Sequence, residues 1–294
     1  MNSLTFRLLE VFQEVVDGGS VTAASNALAL SQPTVSLQLK KLSTIVGLPL
    51  LEHFNGKVHM TEAGEAVYRC AQEVLSSQAT LRSQIQALQG METGSLKLAA
   101  VTTAKYIAPP LLSAFCKAHP NIDVHFTVGN REQIAQRLKQ NRDDIYIFSQ
   151  PPEDPIVQAE PFLDNNLVVI APGDYTGPDR CTLHDLVNEK FLLREHGSGT
   201  RKAVDEFCTR AGFTFRDPMI IESNEAIRLS VASGLGLAIL SEHTLAQVSS
   251  DDIKILRVDG FPLSSSWHVV TRKNRPLSLA ATAFAQSLLN KTPA

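Results

Sequence analysis

Hydroxyl side chains stand at two places where the chain is expected to enter a helix. Thr102 and Thr103 follow the apolar run SLKLAAV, and Ser198, Gly199 and Thr200 precede a helical pattern. A helix N-terminus carries about half a positive charge and unpaired N–H groups, so it attracts anions. The glycine would let an anion approach the backbone closely. Both segments are candidate anion sites, although Thr103 and Thr200, taken singly, fit better as caps of their own helices.

The histidines, cysteines and glycine-flanked serine do not predict catalysis. Residues 197–199 lack the GxSxG spacing of a nucleophile motif. Glu195 and His196 have no defined general-base spacing, and His184, His196 and Cys181 match no metal site. Cys181 and Cys208 lack the spacing of a peroxide-sensing pair and are expected to be buried small side chains. We therefore expect no enzyme activity, no cofactor and no metal.

A second kind of chemistry, base recognition, is suggested by residues 31–42, SQPTVSLQLKKL. Ser31 can cap a helix, and Pro33 suits its first turn because the missing N–H costs nothing there. Val35, Leu39 and Leu42 form one apolar stripe. The opposite face would suit a DNA major groove, but an ordinary amphipathic surface helix explains the same pattern. The candidate DNA-binding residues on this helix are Ser31, Gln32, Pro33, Thr34, Ser36, Leu37, Gln38, Lys40 and Lys41.

The surrounding elements predict a winged helix-turn-helix over residues 1–60. An apolar helical stripe runs from Leu4 to Val15, and Ser20 caps a short second helix that turns directly into the third. Asn55-Gly56 is a strong hairpin-turn dipeptide between two short extended runs. The hairpin would form the wing, which adds His53 and Lys57 to the candidate DNA-binding set.

A long helix is predicted over residues 61–91, with Thr61 as its cap. Val67, Val74, Leu81 and Leu88 recur every seven residues, which is typical of a coiled-coil seam. We predict a dimerising linker helix with these four residues as its contacts. A single helix packed on a neighbouring domain is the alternative.

Residues 92–294 alternate strands with helices in two clusters, including predicted helices 104–118, 131–140, 200–211 and 225–233. The pattern predicts two α/β lobes, lobe I over about 92–163 and 267–294 and lobe II over about 164–266. Ligands of such sheets bind at strand ends near helix N-termini. A cleft between the lobes is therefore the expected binding site.

Composition limits the class of protein. The chain has 294 residues, 44% of them hydrophobic, and a net charge of −3, so DNA affinity must come from a local patch and several copies acting together. No run approaches the roughly 18 apolar residues of a membrane span. Arg7, Glu10 and Glu14 interrupt any signal-peptide core. Four cysteines without CxxC spacing are expected to be reduced thiols of a cytoplasmic protein.

The chain resembles the LysR-type transcriptional regulators along its whole length. The N-terminal likeness is carried by residues 20–24, 28, 31–36, 42, 47, 49–50 and 61–64. The C-terminal likeness, to that family's periplasmic-binding-protein-like effector domain, is carried by residues 144–147, 193–195, 197–201, 223–227 and 234–236. The segments DDIYIFSQPPE, PFLDNNLVVIAP and LLREHGSGTR, with Leu37, are similar to the carbon-fixation (RubisCO operon) regulators, the CbbR-like subgroup.

The resemblance implies a homodimer or homotetramer on inverted-repeat promoter DNA, with RNA polymerase as a further partner. It implies an effector site for a small organic anion at Thr102, Thr103, Ser149, Gln150, Ser198, Gly199, Thr200 and Asn224. Leu37 stands where most family members have a long basic residue, and it could touch a thymine methyl group or the sugar edge. His53 and Gly56 stand where the family's wing usually has arginines, so DNA affinity is expected to vary between about pH 6 and 8. The alternative function is a small-molecule binding protein without a DNA role.

Overall fold

The structure is a computed structural model that describes residues 4–54, 57–88, 93–178, 180–246, 252–273 and 275–290. The side chains of residues 53, 54, 57, 83 and 86–88 also lie outside this description. The chain divides into two units, one built mostly from residues before position 92 and the other mostly from those after it. Within the described ranges, no helix combines the length and apolar character needed to cross a membrane.

The first unit is a helix-turn-helix with a two-stranded wing and a long helix. Its elements are α1 (Phe6–Gly18), α2 (Val21–Ala27), α3 (Gln32–Val46), β1 (Leu51–Phe54), β2 (Lys57–Met60) and α4 (Glu62–Leu88). Ser20 and Ser31 cap α2 and α3 by accepting hydrogen bonds from Ala23 N and Thr34 N. Val11, Phe12, Val35 and Leu42 are wholly buried between the first three helices. The predicted caps and inward stripe are thus confirmed.

The start of α4 is anchored to the chain just before the wing. The Thr61 hydroxyl donates to Pro49 O at 2.7 Å and accepts from Gly64 N at 3.0 Å. A Cβ at Gly64 would lie 2.0 Å from Leu50 O, so only glycine allows this approach. Further along α4, the Tyr68 hydroxyl donates to the Asp17 carboxylate of α1. Burial, followed by that hydrogen bond, raises the pKa of Tyr68.

The second unit contains two sheets and five helices within the described ranges. In chain order its elements are β3 (Gly94–Val101), α5 (Ala108–Ala118), β4 (Ile122–Gly129), α6 (Arg131–Lys139), β5 (Ile145–Phe148), β6 (Val157–Asp164), β7 (Leu167–Pro172), β8 (Arg180–Cys181), β9 (Phe191–Leu193), α7 (Gly199–Ala211), β10 (Met219–Ile220), α8 (Asn224–Ala232), β11 (Leu237–Ser241), β12 (Ile253–Val258), β13 (Ser266–Arg272) and α9 (Leu279–Leu289). Short 3₁₀ turns cover Thr102–Tyr106, His184–Leu186 and Glu242–Leu245.

Each sheet forms the centre of one lobe. Lobe I has the strand order β4-β3-β5-β13-β6, in which β3 runs parallel to β4 and β5. Lobe II has the order β10-β9-β11-β7-β12-β8, in which β9 runs parallel to β10 and β11. The chain crosses between the lobes after β6 and again before β13, and these crossings are joined by hydrogen bonds between Leu167 and Leu263.

The predicted fold class, a winged helix-turn-helix with a long helix and a two-lobed α/β domain, is confirmed. One predicted helix differs in detail, because residues 102–106 form a 3₁₀ turn and α5 begins only at Ala108. Pro109 and Pro110 lack N–H donors and are tolerated only in a first turn. The boundaries 1–60, 61–91 and 92–294, and the limits of the two lobes, stay predictions.

Candidate functional site

Helix α3 separates a buried face from an exposed one. Val35 and Leu42 are buried, whereas Leu37 keeps 68% of its surface exposed. The predicted recognition residues Ser31, Gln32, Pro33, Ser36, Lys40 and Lys41 are also exposed, and Thr34 and Gln38 are half-buried. A single exposed leucine is ordinary on a protein surface, so its exposure alone does not mark a contact.

The wing is a hairpin in which β1 pairs antiparallel with β2, with His53 opposite Val58. The side chains of His53 and Lys57, and the turn at Asn55-Gly56, lie outside the described residues. Their predicted contacts with DNA, and the pH dependence expected from His53, stay predictions.

The predicted seam of α4 changes character along the helix. Val67 packs against the core of its own unit, and Val74 is half-buried. Leu81 is 57% exposed, and Ile85, one turn further on, is exposed as well. The side chain of Leu88 lies outside the described residues. The apolar surface on the described part of the seam is therefore concentrated at Leu81 and Ile85.

In the second unit, the carboxyl ends of three parallel strands meet the start of α7. Thr102 and Thr103 follow β3, Asn130 follows β4, and Ser149 follows β5. These positions and Ser198 of lobe II surround a small cavity, hereafter the inner cavity, of about 10 Å³. Its lining is Val101, Thr102, Thr103, Asn130, Arg131, Ser149, Arg194, Ser198, Gly199 and Thr200. A Cβ at Gly199 would lie 3.3 Å from the Ser149 hydroxyl oxygen, so the lobes are closely apposed here.

The N-terminus of α7 has no side-chain cap. Ser198 occupies the N-cap position without a hydrogen bond from its hydroxyl to the first turn. The Thr200 hydroxyl makes no cap bond either. In the described part of the chain, the hydroxyls of Ser149, Ser198 and Thr200 have no hydrogen-bond partner, although Ser198 and Thr200 are buried. Unpaired donors at a helix N-terminus favour an anion.

The threonines after β3 are already engaged. The Thr102 hydroxyl donates to Gly129 O at 3.0 Å, and the Thr103 hydroxyl accepts from Asn224 Nδ2 at 3.0 Å. Neither hydroxyl caps the 3₁₀ turn Thr102–Tyr106, in which both residues lie. The alternative that Thr103 and Thr200 serve only as caps of their own helices is therefore wrong, because both side chains face the cleft instead.

Two predicted effector residues lie just behind the cavity wall. Asn224 is fully buried, and its Oδ1 accepts from Arg194 Nη1 at 2.5 Å while its Nδ2 reaches Thr103. The Gln150 carbonyl accepts from Arg131 Nε at 2.9 Å. The other six predicted effector residues line the cavity itself. Asn224 thus joins the two lobes directly.

Sequence reasoning missed two arginines of this cleft. Arg194 is only 3% exposed and makes two hydrogen bonds, of 2.8 and 3.0 Å, with the Glu195 carboxylate. Arg131 opens α6 directly after β4 and lines the cavity. A cation at the carboxyl end of a parallel strand was the available signal for Arg131. Arg194 carried no such signal, because its partners depend on tertiary packing.

An ion pair closes the cleft at one edge. The Lys105 ammonium of lobe I pairs with the Glu225 carboxylate at the start of α8 in lobe II. Burial alone would raise the pKa of Glu225, but the Lys105 ammonium and the backbone N–H of Glu225 lower it to about 2. Burial and Glu225 raise the pKa of Tyr106. The contact is an electrostatic link between the lobes.

Two cysteines of lobe II behave as core side chains. Cys181 and Cys208 are buried free thiols of one hydrophobic cluster. Burial raises the pKa of both, that of Cys208 to about 11. Thiolates are the reactive form, so these thiols are poorly suited to sensing peroxide, and their predicted burial is confirmed.

Known proteins match both units of the chain. Residues 6–65 match the family model for bacterial regulatory helix-turn-helix proteins of the lysR family, and residues 89–293 match the LysR substrate binding domain. The HTH-type transcriptional activator CmpR of Synechocystis sp. is 40% identical over 291 residues, which cover 98% of this chain and 96% of CmpR. The chain is a LysR-type transcriptional regulator. The predicted family resemblance is confirmed.

Further relatives of this regulator carry names from carbon fixation. The RuBisCO operon transcriptional regulator of Allochromatium vinosum is 38% identical over 98% of this chain and 96% of its own length. The solved regulatory domain of CcmR from Synechocystis PCC6803, in complex with 2-PG, has 40% identity and a TM-score of 0.65. It covers 69% of this chain and 100% of that domain. The predicted subgroup likeness is therefore confirmed.

Full-length similarity extends to a more distant regulator. A full-length OxyR variant of Pseudomonas aeruginosa aligns over 97% of this chain and 94% of its own, with a TM-score of 0.78 and 23% identity. This likeness concerns the fold alone. The relatives are transcriptional regulators rather than enzymes, and the matched helix-turn-helix argues against a binding protein without a DNA role.

Proposed function

We propose that this regulator senses a small organic anion in the cleft of its second unit and thereby controls promoter activity. The observation that carries the proposal is the uncapped N-terminus of α7. The unpaired hydroxyls of Ser198 and Thr200 at this terminus and of Ser149 opposite it line the same cavity. Arg131 adds positive charge to the same wall, whereas the charge of Arg194 is balanced by the Glu195 carboxylate. Such donors suit a phosphate or carboxylate group.

The solved structure of a relative with its ligand supports an anionic effector. The CcmR regulatory domain was solved with 2-PG, 2-phosphoglycolate, which carries a phosphate and a carboxylate. In this regulator, an inner cavity of about 10 Å³ holds about one water-sized group. A metabolite therefore requires the lobes to separate, which breaks or replaces the bond between Asn224 and Thr103. Effector binding and lobe movement are coupled in this proposal.

For DNA binding, we propose that α3 reads base edges of an inverted-repeat promoter site. The exposed residues of α3 supply polar, basic and apolar contacts, and Lys57 and His53 of the wing would contact the backbone. Leu81 and Ile85 of α4 supply the apolar surface for a homodimer, which could pair again as a homotetramer. RNA polymerase is a further proposed partner. The compartment is the cytoplasm, where promoter DNA and RNA polymerase are found.

The test introduces a bulky apolar side chain into the cleft. Thr200→Leu should abolish the effect of 2-phosphoglycolate on promoter binding and leave binding without effector unchanged. Thr209→Leu, at an exposed position of the same helix, is the matched control and should respond as wild type. Ser198→Ala removes one donor with little steric change and should weaken the response. Because Thr200 is buried, thermal melting of each variant should accompany the gel shifts. An unchanged response in well-folded Thr200→Leu and Ser198→Ala would contradict the proposal.

A further inference from the structure

A groove lies at one edge of the lobe II sheet, where β12 meets β8. Its volume is about 350 Å³, which falls within the range of about 300–1,000 Å³ that is usual for small-molecule sites. We call it the edge groove, and the side chains that decide its chemistry are Val168, Arg180, Ile255, Arg257 and Asp259. It shares no lining residue with the inner cavity.

Two arginines stand side by side on the wall of the edge groove. Arg257 of β12 and Arg180 of β8 are register partners in a parallel strand pair. Their side chains therefore leave the same face of the sheet from backbones about 4.8 Å apart. Both are exposed, and no carboxylate among the described residues forms an ion pair with either of them. Like charges at this spacing repel each other, so the pair does not serve stability.

Protection of an open sheet edge explains one of these arginines but not both. The edge strand β8 has only two residues, and a charged side chain such as Arg180 discourages pairing with another chain there. Arg257 lies on the inner side of that edge, where β8 already covers its strand. Asp259 is the one acidic side chain that lines the groove. Two positive charges against one negative charge leave the groove electropositive.

Apolar surface lies next to this positive charge. Side chains alternate along a strand, so Ile255 and Arg257 share one face of β12, whereas Leu256 belongs to the core cluster on the other face. On the face of Ile255, the cluster that α8 covers includes Val168 and Ile253. Ile255 itself keeps 53% of its surface exposed. The groove thus offers apolar contact beside two guanidinium groups.

The wall of the edge groove is held in place by packing on α7. In the turn after β12, the Phe261 ring meets the Phe207 ring of α7 edge to face, with centroids 5.0 Å apart. A Cβ at Gly260 would lie 2.8 Å from Phe207 Cζ, so the turn and the helix are in close contact. Asp259 N donates to Cys181 O at 2.8 Å. A preformed concavity of this kind costs a ligand little ordering free energy.

We propose that the edge groove binds a second ligand of this regulator, an organic acid whose carboxylate or phosphate group is attached to an apolar chain. The anionic group contacts the guanidinium groups of Arg180 and Arg257, whose N–H donors suit either oxyanion. The apolar chain covers Ile255 and removes its surface from water. This inference does not rest on the proposed function, because no residue of the cleft takes part.

The test is isothermal titration of the full-length protein with hexanoate and hexyl phosphate. Each is compared with its short counterpart, acetate or inorganic phosphate, and with neutral hexanamide. At least one six-carbon anion should bind about tenfold or more tightly than both its short counterpart and hexanamide. In Arg180→Gln/Arg257→Gln its affinity should fall to that of hexanamide, and in Ile255→Ser to that of its short counterpart.

The matched control is Arg210→Gln/Arg216→Gln. It removes the same charge from two exposed positions of lobe II that do not line the edge groove, and it should bind both six-carbon anions as the wild type does. All five substituted positions are exposed, so each variant should keep the fold.

The remaining outcomes overturn the inference. Equal binding of all probes, or a preference that survives in Arg180→Gln/Arg257→Gln, means that the edge groove holds no such ligand. Titration of Thr200→Leu locates the site, because a six-carbon anion that this variant no longer binds occupies the cleft and not the groove. The promoter response to 2-phosphoglycolate is measured separately, and its failure would remove the proposed function without affecting the edge groove.

Discussion

Leu37 tests base recognition by a single side chain. It is 68% exposed on α3, so Leu37→Ala should change the free energy of unfolding by less than about 0.5 kcal/mol. If Leu37 touches a thymine methyl group, the variant should lose roughly 1 kcal/mol of specific binding, about fivefold in affinity. The slope of affinity against salt should not change, because no phosphate contact is removed.

The DNA supplies the matched control for this variant. Replacing thymines of the promoter site by uracil, one at a time, removes single methyl groups. One such replacement should weaken the wild type about as much as Leu37→Ala and should not weaken the variant further. If every thymine position affects both proteins equally, Leu37 makes no methyl contact.

Glu225 gives a prediction about pH. Burial raises its pKa, but the Lys105 ammonium and the backbone N–H of Glu225 outweigh burial and lower the pKa to about 2. A lowered folded-state pKa contributes stability above the ordinary value near 4.5, and this contribution is lost as the pH falls towards 2. The melting temperature of wild type minus that of Glu225→Gln should therefore be positive at neutral pH and shrink between about pH 4.5 and 2.

Acid also protonates other carboxylates of the protein. The informative quantity is therefore the difference in melting temperature between wild type and variant, and not either melting temperature alone. Glu206→Gln, which removes an exposed i,i+4 partner, is the control and should differ little from wild type throughout. A Glu225→Gln difference that stays constant down to about pH 2 would contradict the assigned ion pair.

At the scale of elements, the sequence was informative wherever local chemistry decides the conformation. Ser20, Ser31 and Thr61 cap the helices as predicted, because a cap needs only its own first turn. The two-sheet architecture followed from alternating apolar runs. The limits of α5 did not, because the double proline moves the helix start beyond a 3₁₀ turn.

The cleft was predictable in its loops but not in its contacts. The strand-end positions of Thr102 and Ser149 and the start of α7 follow from topology. The pairing of Asn224 with Thr103 joins residues 121 positions apart, and no local pattern encodes that separation. For the same reason Arg194 was missed, whereas Arg131 was missed although its position after a parallel strand was an available signal.

The exposed end of α4 predicts how copies of the chain associate. Leu81→Glu introduces a charge at a position that is 57% exposed, so the fold of one chain should not suffer. If Leu81 lies in the proposed seam, the variant buries like charges against each other and should dissociate the dimer. Analytical ultracentrifugation should then show a shift towards monomer relative to wild type.

Ala79→Glu is the matched control, because it adds the same charge at an exposed position on roughly the opposite face of α4. It should keep the oligomeric state of the wild type. Equal dissociation in both variants would mean that charge on the helix, and not the seam, decides association. No dissociation in Leu81→Glu would contradict the seam.

For the whole molecule, the central constraint is charge. The chain carries a net charge of −3, so its long-range field does not favour DNA. The basic side chains among the candidate DNA-binding residues are Lys40, Lys41 and Lys57. Three phosphate contacts per subunit give only modest affinity at physiological salt, so a specific regulator with this composition needs more than one subunit on the site.

This need makes the salt dependence of binding a measure of subunit number. Three lysine–phosphate contacts predict a slope of log affinity against log salt of roughly −2.7 for one subunit and about −5.4 for two. We expect fluorescence anisotropy with an inverted-repeat promoter fragment to give the larger value for wild type and Ala79→Glu. Leu81→Glu should give about half of it at protein concentrations where it is monomeric. A wild-type slope near the single-subunit value would mean that the subunits do not share the site, and paired recognition by α3 would then be wrong.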